Sequence, residues 1–313
     1  MTAAAAWPDL GSPALPGTLE TLQLWSQIVG KVRLANAPWL NHAWQVTLYV
    51  SPRGLSTSLI PHGDKSFSLE FDFIDQHLVL RATDGGERRI PLASGTVAEF
   101  YDAVMQGLTA LGLETDIHAV PDEMPEPVPF AEDDRPRAYD PDVAHAYWLA
   151  LVQVDRVLNR FRTRFLGKCS PVHLFWGAFD MAVTRFSGRR APLHPGGVPH
   201  LPDAVTREAY SHEVSSAGFW PGGNGVPPSF YAYAYPTPKG FAEARVQPEG
   251  AAFSEALGEF LLPYEAVRQA TDPDAALLAF LQSTYEAAAD LGGWDRADLE
   301  CAEGVPGRPR AVR

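Results

Sequence analysis

GKCSPVHLFWGAFD (167–180), FSGRRAP (186–192) and YSHEVSSAGFWPGG (210–223) lie in one span, residues 165–223, rich in histidine, tryptophan, arginine and glycine. PVHLFWGAFDMAV (171–183) is apolar on both faces, the pattern of a central strand covered on both sides. YSHEVSSAGFW and FYAYAYP (230–236) read as further strands, separated from the first by the Pro/Gly-rich loop APLHPGGVPHLPD (191–203). Downstream, a helix is expected from Asp272, with Pro273 at its first position. Its buried stripe is Leu277, Leu281, Thr284, Ala288 and Leu291, and Gly292 ends it. Upstream, a long helix begins near Asp142, where Val143, Tyr147, Leu151, Val154, Leu158, Phe161 and Phe165 recur at spacings of three and four.

Residues 121–141 carry six prolines and a run of acids, so they form a connection rather than a regular element. Before them comes a helix with Leu22, Trp25, Val29 and Val32 on one face. A strand is expected over HAWQVTLYV (42–50), with His42, Trp44, Val46, Leu48 and Val50 alternating onto one side. SFSLEFDF places Phe67, Leu69, Phe71 and Phe73 inward, and HLVLRAT leads through AspGlyGly (84–86) into RRIPL as a meander. A helix capped by Thr96 and Glu99 follows. LETDIHAV (113–120) reads as a last strand.

Both sides of the connection thus follow one order of helix, strands and helix. An ungapped alignment of 31–61 with 162–192 matches Arg33 to Arg164, His42 to His173, Ser56 to Ser187 and Pro61 to Pro192. The expected fold is α+β: two similar halves, each a mainly antiparallel sheet with flanking helices. Its parts are an extended segment (1–17), a first half (18–120), the connection (121–141), a second half (142–300) and a disordered tail (301–313). If the halves are a duplication, the segments starting at His42 and His173 lie near each other about a pseudo-twofold axis.

The chain has 313 residues, 46% of them hydrophobic and 20% charged, enough for a proper core. A net charge of −13 argues against general affinity for nucleic acid or an anionic membrane. Cys169 and Cys301 are far apart in unlike contexts, which suits reduced thiols and a cytoplasmic setting. The N-terminal sequence lacks a signal-peptide pattern, and no stretch is apolar for long enough to span a bilayer.

The common phosphate-loop, dinucleotide, metalloprotease and nucleophile-elbow motifs are missing, so the reaction and the cofactor are not legible. The candidate proton-handling groups are His173, His212, Glu213 and Asp180. Against an apolar wall, an imidazole or a carboxyl either acquires a partner or shifts its pKa. Arg189 and Arg190 suit an anionic small molecule as bidentate donors, and Trp176, Trp220 and Tyr210 would line its pocket. The plain structural readings stand beside these. His173 is a hydrogen-bonded core histidine, Asp180 and Glu213 pair with Arg185, Arg189 or Arg190, and the aromatics are core. A metal site needs His42, His173, His212 and a carboxylate to converge, and no ligand spacing supports one. Arg156, Arg160 and Arg164 form a basic stripe that faces solvent or acids.

LWSQIVGKVRLA (24–35), GKCSPVHLFWGAFD, RFSGRRAP, TREAYSHEVSSAGFWPGG and LQSTYEAAADLG (281–292) resemble an uncharacterised bacterial family of about this length, known only as a domain of unknown function. The likeness runs over residues 7–300. It implies one architecture across both halves and brings no activity, ligand or catalytic residue. The function expected from the residues is small-molecule binding, with or without catalysis, at a His/Arg/acid pocket in the second half. The alternative is a non-catalytic interaction or structural protein whose buried polar groups satisfy one another.

Overall fold

In the computed structural model, which describes residues 7–124, 126–198, 200–223 and 225–310, helix α1 (Leu15–Asn36) lies between the two halves. Its apolar side, with Trp25, Ile28, Val29 and Val32 almost wholly buried, belongs to one core cluster that runs through both halves. The first half adds β1 (Tyr49–Val50), β2 (Gly54–Ser56), β3 (Ile60–His62), β4 (Lys65–Asp72), β5 (His77–Ala82), β6 (Glu87–Pro91) and α2 (Val97–Ala110). Its sheet has the order β1-β2-β4-β5-β6, with β3 also paired to β4, and every pairing is antiparallel. Alternation in β4 puts Phe67, Leu69 and Phe71 into the core. The Thr96–Glu99 capping box opens α2, and Gly112, at φ 64°, supplies the left-handed residue just beyond its end.

The second half begins with α3 (Pro141–Arg162), capped by the Asp140 carboxylate. It continues through β7 (His173–Phe175), β8 (Asp180–Arg190), α4 (Asp203–Ala209), β9 (His212–Trp220) and β10 (Ser229–Tyr235). β11 (Ala252–Ser254), β12 (Glu259–Pro263), α5 (Tyr264–Arg268), α6 (Pro273–Leu291) and α7 (Arg296–Leu299) complete it. The antiparallel sheet runs β11-β12-β10-β9-β8-β7. The architecture is α+β with two similar halves. The sheets touch where Leu48 and Leu174 exchange both backbone hydrogen bonds, at 2.9 and 2.8 Å. The segments that follow His42 and His173 therefore lie side by side.

The second sheet has two unlike faces, because successive strand residues point to opposite sides. Met181, Val183 and Arg185 of β8, Ala217 and Phe219 of β9, Phe230 and Ala232 of β10, and Phe260 and Leu262 of β12 are buried on one face. There α3 packs on β8, and α6 on β9 and β10. The other face carries Asp180, Ala182, Thr184, Ser216, Gly218, Trp220, Tyr231, Tyr233 and Glu259. That row of polar, small and aromatic residues is not covered by a helix layer.

Several local expectations differ from the structure. HAWQVTLYV does not form one strand. Asn41–Val46 is a 3-10 turn in which His42 and Ala43 take positive φ (61° and 57°), and only Tyr49–Val50 is extended in a sheet. PVHLFWGAFDMAV is not one central strand. It is a hairpin, with β7 at the sheet edge and a turn at 176–179 in which Phe179 has φ 58°. Adjacent residues are buried in each arm, His173 and Leu174 in one and Met181, Ala182 and Val183 in the other, so the stretch reads as apolar on both faces. LETDIHAV forms no strand. Leu291 is exposed at the end of α6, while Leu277, Leu281, Thr284 and Ala288 are buried as expected. The basic stripe on α3 is acid-paired: Arg156 and Arg160 meet Asp274, and Arg160 and Arg164 meet Glu303. Residues 301–310 lie along the end of α3, where Cys301 N–H donates to the Arg164 carbonyl at 3.0 Å. Residues 1–6 and 311–313 fall outside the described residues, while Trp7 is buried against Phe230 and Tyr264.

Candidate functional site

The uncovered face of the second sheet is the floor of a cavity of about 990 Å³. Its walls come from segments far apart in the chain. Lys31 and Leu34 enter from α1, Ala43 and Val46 from the 3-10 turn, Asp122 and Glu123 from the connection, and Val205 and Thr206 from α4. Trp176, Phe175 and Trp220 supply aromatic surface. This mixture of apolar wall and a few convergent polar groups is what small-molecule sites are made of.

The α1 helix holds two of these walls through a polar stripe. Gln23, Gln27 and Lys31 recur every four residues and so share one face. The Gln23 amide donates to the Gly177 carbonyl at 2.5 Å, in the β7–β8 turn. Gln27 donates to the Asp122 carbonyl (2.9 Å) and accepts from the Asp122 N–H (2.6 Å). Lys31 Nζ is ion-paired with Asp122 at 2.8 Å and lies over the Trp176 ring. Gly30 leaves the space that Trp176 fills, since a Cβ there would fall 2.1 Å from the indole nitrogen. That nitrogen donates to the Val46 carbonyl at 3.0 Å.

Asp180 is the centre of the floor. Its carboxylate accepts a short hydrogen bond from the Tyr231 hydroxyl. Tyr231 reaches it from β10 by crossing β9 at Gly218, where any Cβ would lie 2.6 Å from the tyrosine oxygen. Burial pushes the Asp180 carboxyl up to about 6, against the stabilising hydrogen bond from Tyr231. Glu259 rises to about 7, first through burial and then through the Asp180 charge. Glu123, which rests on Gly177, is driven up by the same two causes and by Asp122. It is the most exposed of the three, so cavity water screens it and Asp180 and Glu259 carry more weight. Beside them the Tyr210 and Tyr233 hydroxyls are hydrogen-bonded at 2.9 Å, as are Thr184 and Ser216. The Thr206 hydroxyl, 2% exposed, has no hydrogen-bond partner.

Residues 7–301 match DUF5996, described as a family of unknown function. The chain belongs to that family. No curated protein and no solved structure matches it. The DUF5996 match covers both sheets, the connection and the cavity.

Of the side chains singled out in the sequence, Asp180, Trp176, Trp220 and Tyr210 line the cavity of this DUF5996 chain. Asp180 is paired with Tyr231 and not with an arginine. The others sit elsewhere. His173 is 1% exposed, donates from Nδ1 to the Pro171 carbonyl (2.7 Å), and is held down to about 4 by burial. Glu213 pairs with Arg189 at 2.7 Å and accepts from Ser187. Arg189 also donates to the Gly292 and Gly293 carbonyls beyond α6. Arg190 is exposed in the register pair with His212, outside the cavity. His212 contacts Ser211 and lies 6.4 Å, ring to ring, from His42. His42 lies at the cavity edge. Its Nδ1 meets the Ala209 carbonyl at 2.7 Å, and its Nε2 meets Lys168 Nζ at 2.6 Å. An ammonium can only donate, so Nε2 accepts and the ring is neutral, in keeping with a pKa lowered chiefly by burial. Among the described residues no three His, Cys, Asp or Glu side chains converge as a metal site would require. No helix among them is long and apolar enough to cross a membrane.

Sequence reasoning passed over Glu123 and Asp122, hidden in a Pro-rich connection, and Glu259, Thr206 and Lys31. One signal was available. Asp180/Ala182/Thr184 and Ser216/Gly218/Trp220 alternate polar or small side chains with apolar ones, which marks a strand face that is not core.

Proposed function

We propose that this protein binds a small organic molecule in the cavity between its halves, with Asp180 as the proton-handling group. The observation that carries the reading is the Asp180–Tyr231 pair on the floor of a 990 Å³ aromatic-walled cavity. A protein whose buried polar groups merely satisfy one another has no need of that volume. A carboxyl held near neutrality can give and take a proton at physiological pH, so the reading extends to acid–base catalysis on the bound molecule.

The test is a thermal-shift screen of metabolites against the wild type, Asp180→Asn and Ala182→Phe. Ala182 is a small residue on the cavity floor, and phenylalanine there fills the space. Compounds that stabilise the wild type should lose most of their effect in both variants. Stabilising compounds indifferent to both substitutions would place binding elsewhere and overturn the assignment.

A further inference from the structure

We infer that the ligand is an organic cation, a protonated amine with an apolar or aromatic body. The inference rests on the cavity being a ligand site and adds its chemical class. Three carboxyls, Asp180, Glu123 and Glu259, line one cavity. No arginine lines that space among the described residues, and its one lysine, Lys31, is already ion-paired with Asp122 at 2.8 Å. His42 is fixed in its neutral form between Ala209 and Lys168. His118 and His200 also line the space, but among the described residues no ion pair forms with any of the three acids. Like charges in a low-dielectric pocket repel, and a cation placed among them relieves that repulsion while it gains charge-assisted hydrogen bonds.

Two further features fit the rest of such a molecule. The Trp220 ring supplies a face that attracts a cation electrostatically, and Trp176, which already carries Lys31 over its ring, adds apolar wall. The Tyr210 and Tyr233 side chains, whose hydroxyls pair at 2.9 Å, also line the space and bring donors and acceptors for a polar atom. A metal ion would demand a tight convergence of ligands, and the described residues do not form one. An anionic ligand would meet three carboxyls. The two arginines that could hold it, Arg189 and Arg190, lie outside the cavity.

Three isosteric probes separate the classes: tryptamine, the corresponding alcohol tryptophol, and the acid indole-3-propionate. Their binding would be measured by calorimetry near pH 6.5 in two buffers of different ionisation enthalpy. Because several amine shapes are open, a set of aliphatic, aromatic and quaternary amines is run beside them. The expected result is amine binding at least about tenfold tighter than the alcohol, with the acid weakest. A cation lowers the carboxyl pKa values, so amine binding should also release protons to the buffer. Asp180→Asn and Glu259→Gln should each bring the amine down towards the alcohol, and Ala182→Phe should weaken both. An alcohol or acid that binds as tightly as the amine, and is blocked by Ala182→Phe, overturns the cation assignment while leaving the cavity as the site. Failure of every amine at millimolar concentration, or amine binding unchanged in both carboxyl variants, overturns it as well.

Discussion

Tyr231 crosses a neighbouring strand to reach Asp180, and the crossing is possible because Gly218 has no side chain. The tyrosine O–H donates to the carboxylate and so favours the charged form, while burial favours the neutral one. Burial wins, which leaves the acid near 6. Tyr231→Phe should therefore raise the Asp180 pKa further, by up to about one unit, followed by carboxyl carbon NMR across pH 4–8. An unchanged or lower value would mean that the hydroxyl does not tune this acid. At this scale the sequence pointed first to histidines, because His173 and His212 stand out among apolar neighbours. Yet His173 is sealed with a backbone carbonyl, and the chemistry gathers on an aspartate whose partner lies 51 positions away. Nothing local marks such a pair. Asp180 was legible as an acid in apolar sequence, but the register that brings Tyr231 opposite Gly218 was not.

The elements around the cavity are positioned by α1, whose two faces do different work. The apolar face was readable from its spacing of three and four. The stripe Gln23, Gln27, Lys31 reads as a solvated face, but its partners are backbone groups of Gly177 and Asp122 and the Asp122 carboxylate, which carry no sequence signal. For the same reason the Pro-rich connection looked like a spacer, although Asp122 and Glu123 form a wall of the cavity. The hairpin at 173–190 and the turn at 41–46 were missed because their left-handed residues, Phe179, His42 and Ala43, are not glycine or asparagine. Gly30 offers the sharpest test at this scale. Alanine is the better helix former by about 1 kcal/mol, so propensity alone predicts a gain. The Trp176 indole occupies the place of the added methyl, so packing predicts a loss of about 1–3 kcal/mol and a displaced wall. Gly30→Ala should thus lower the denaturation midpoint and shift tryptophan emission. A more stable variant with unaltered emission would show that Trp176 does not rest on α1.

For the whole molecule, burying both acids and a histidine sets groups of opposite tendency against each other as pH changes. Asp180 and Glu259 titrate near 6 and 7 in the fold, above their ordinary 3.8 and 4.5, because burial disfavours their charge. The folded state holds these protons more tightly than the unfolded chain. Their contribution is therefore fully present below the unfolded values and is lost as pH rises through 6 and 7. His173 behaves in the reverse sense. Burial lowers it from 6.5 to about 4, so its contribution is present above 6.5 and is lost as pH falls towards 4. Between pH 4.5 and 6 the two acids outweigh the one histidine, so the contribution of these three groups should decline there and level off above pH 7. Single substitutions separate them. Relative to the wild type, Asp180→Asn should gain about 1–2 kcal/mol between pH 4.5 and 7.5, a figure reduced from the full shift because cavity water reaches the carboxyl. His173→Gln should move the other way, gaining on the wild type as pH falls from 7 to 4.5. Urea denaturation at a series of pH values reads both differences. Curves that run parallel to the wild type in both variants would mean that neither group is held away from its ordinary pKa, and the cavity floor would then be wetter and less polarised than its geometry implies.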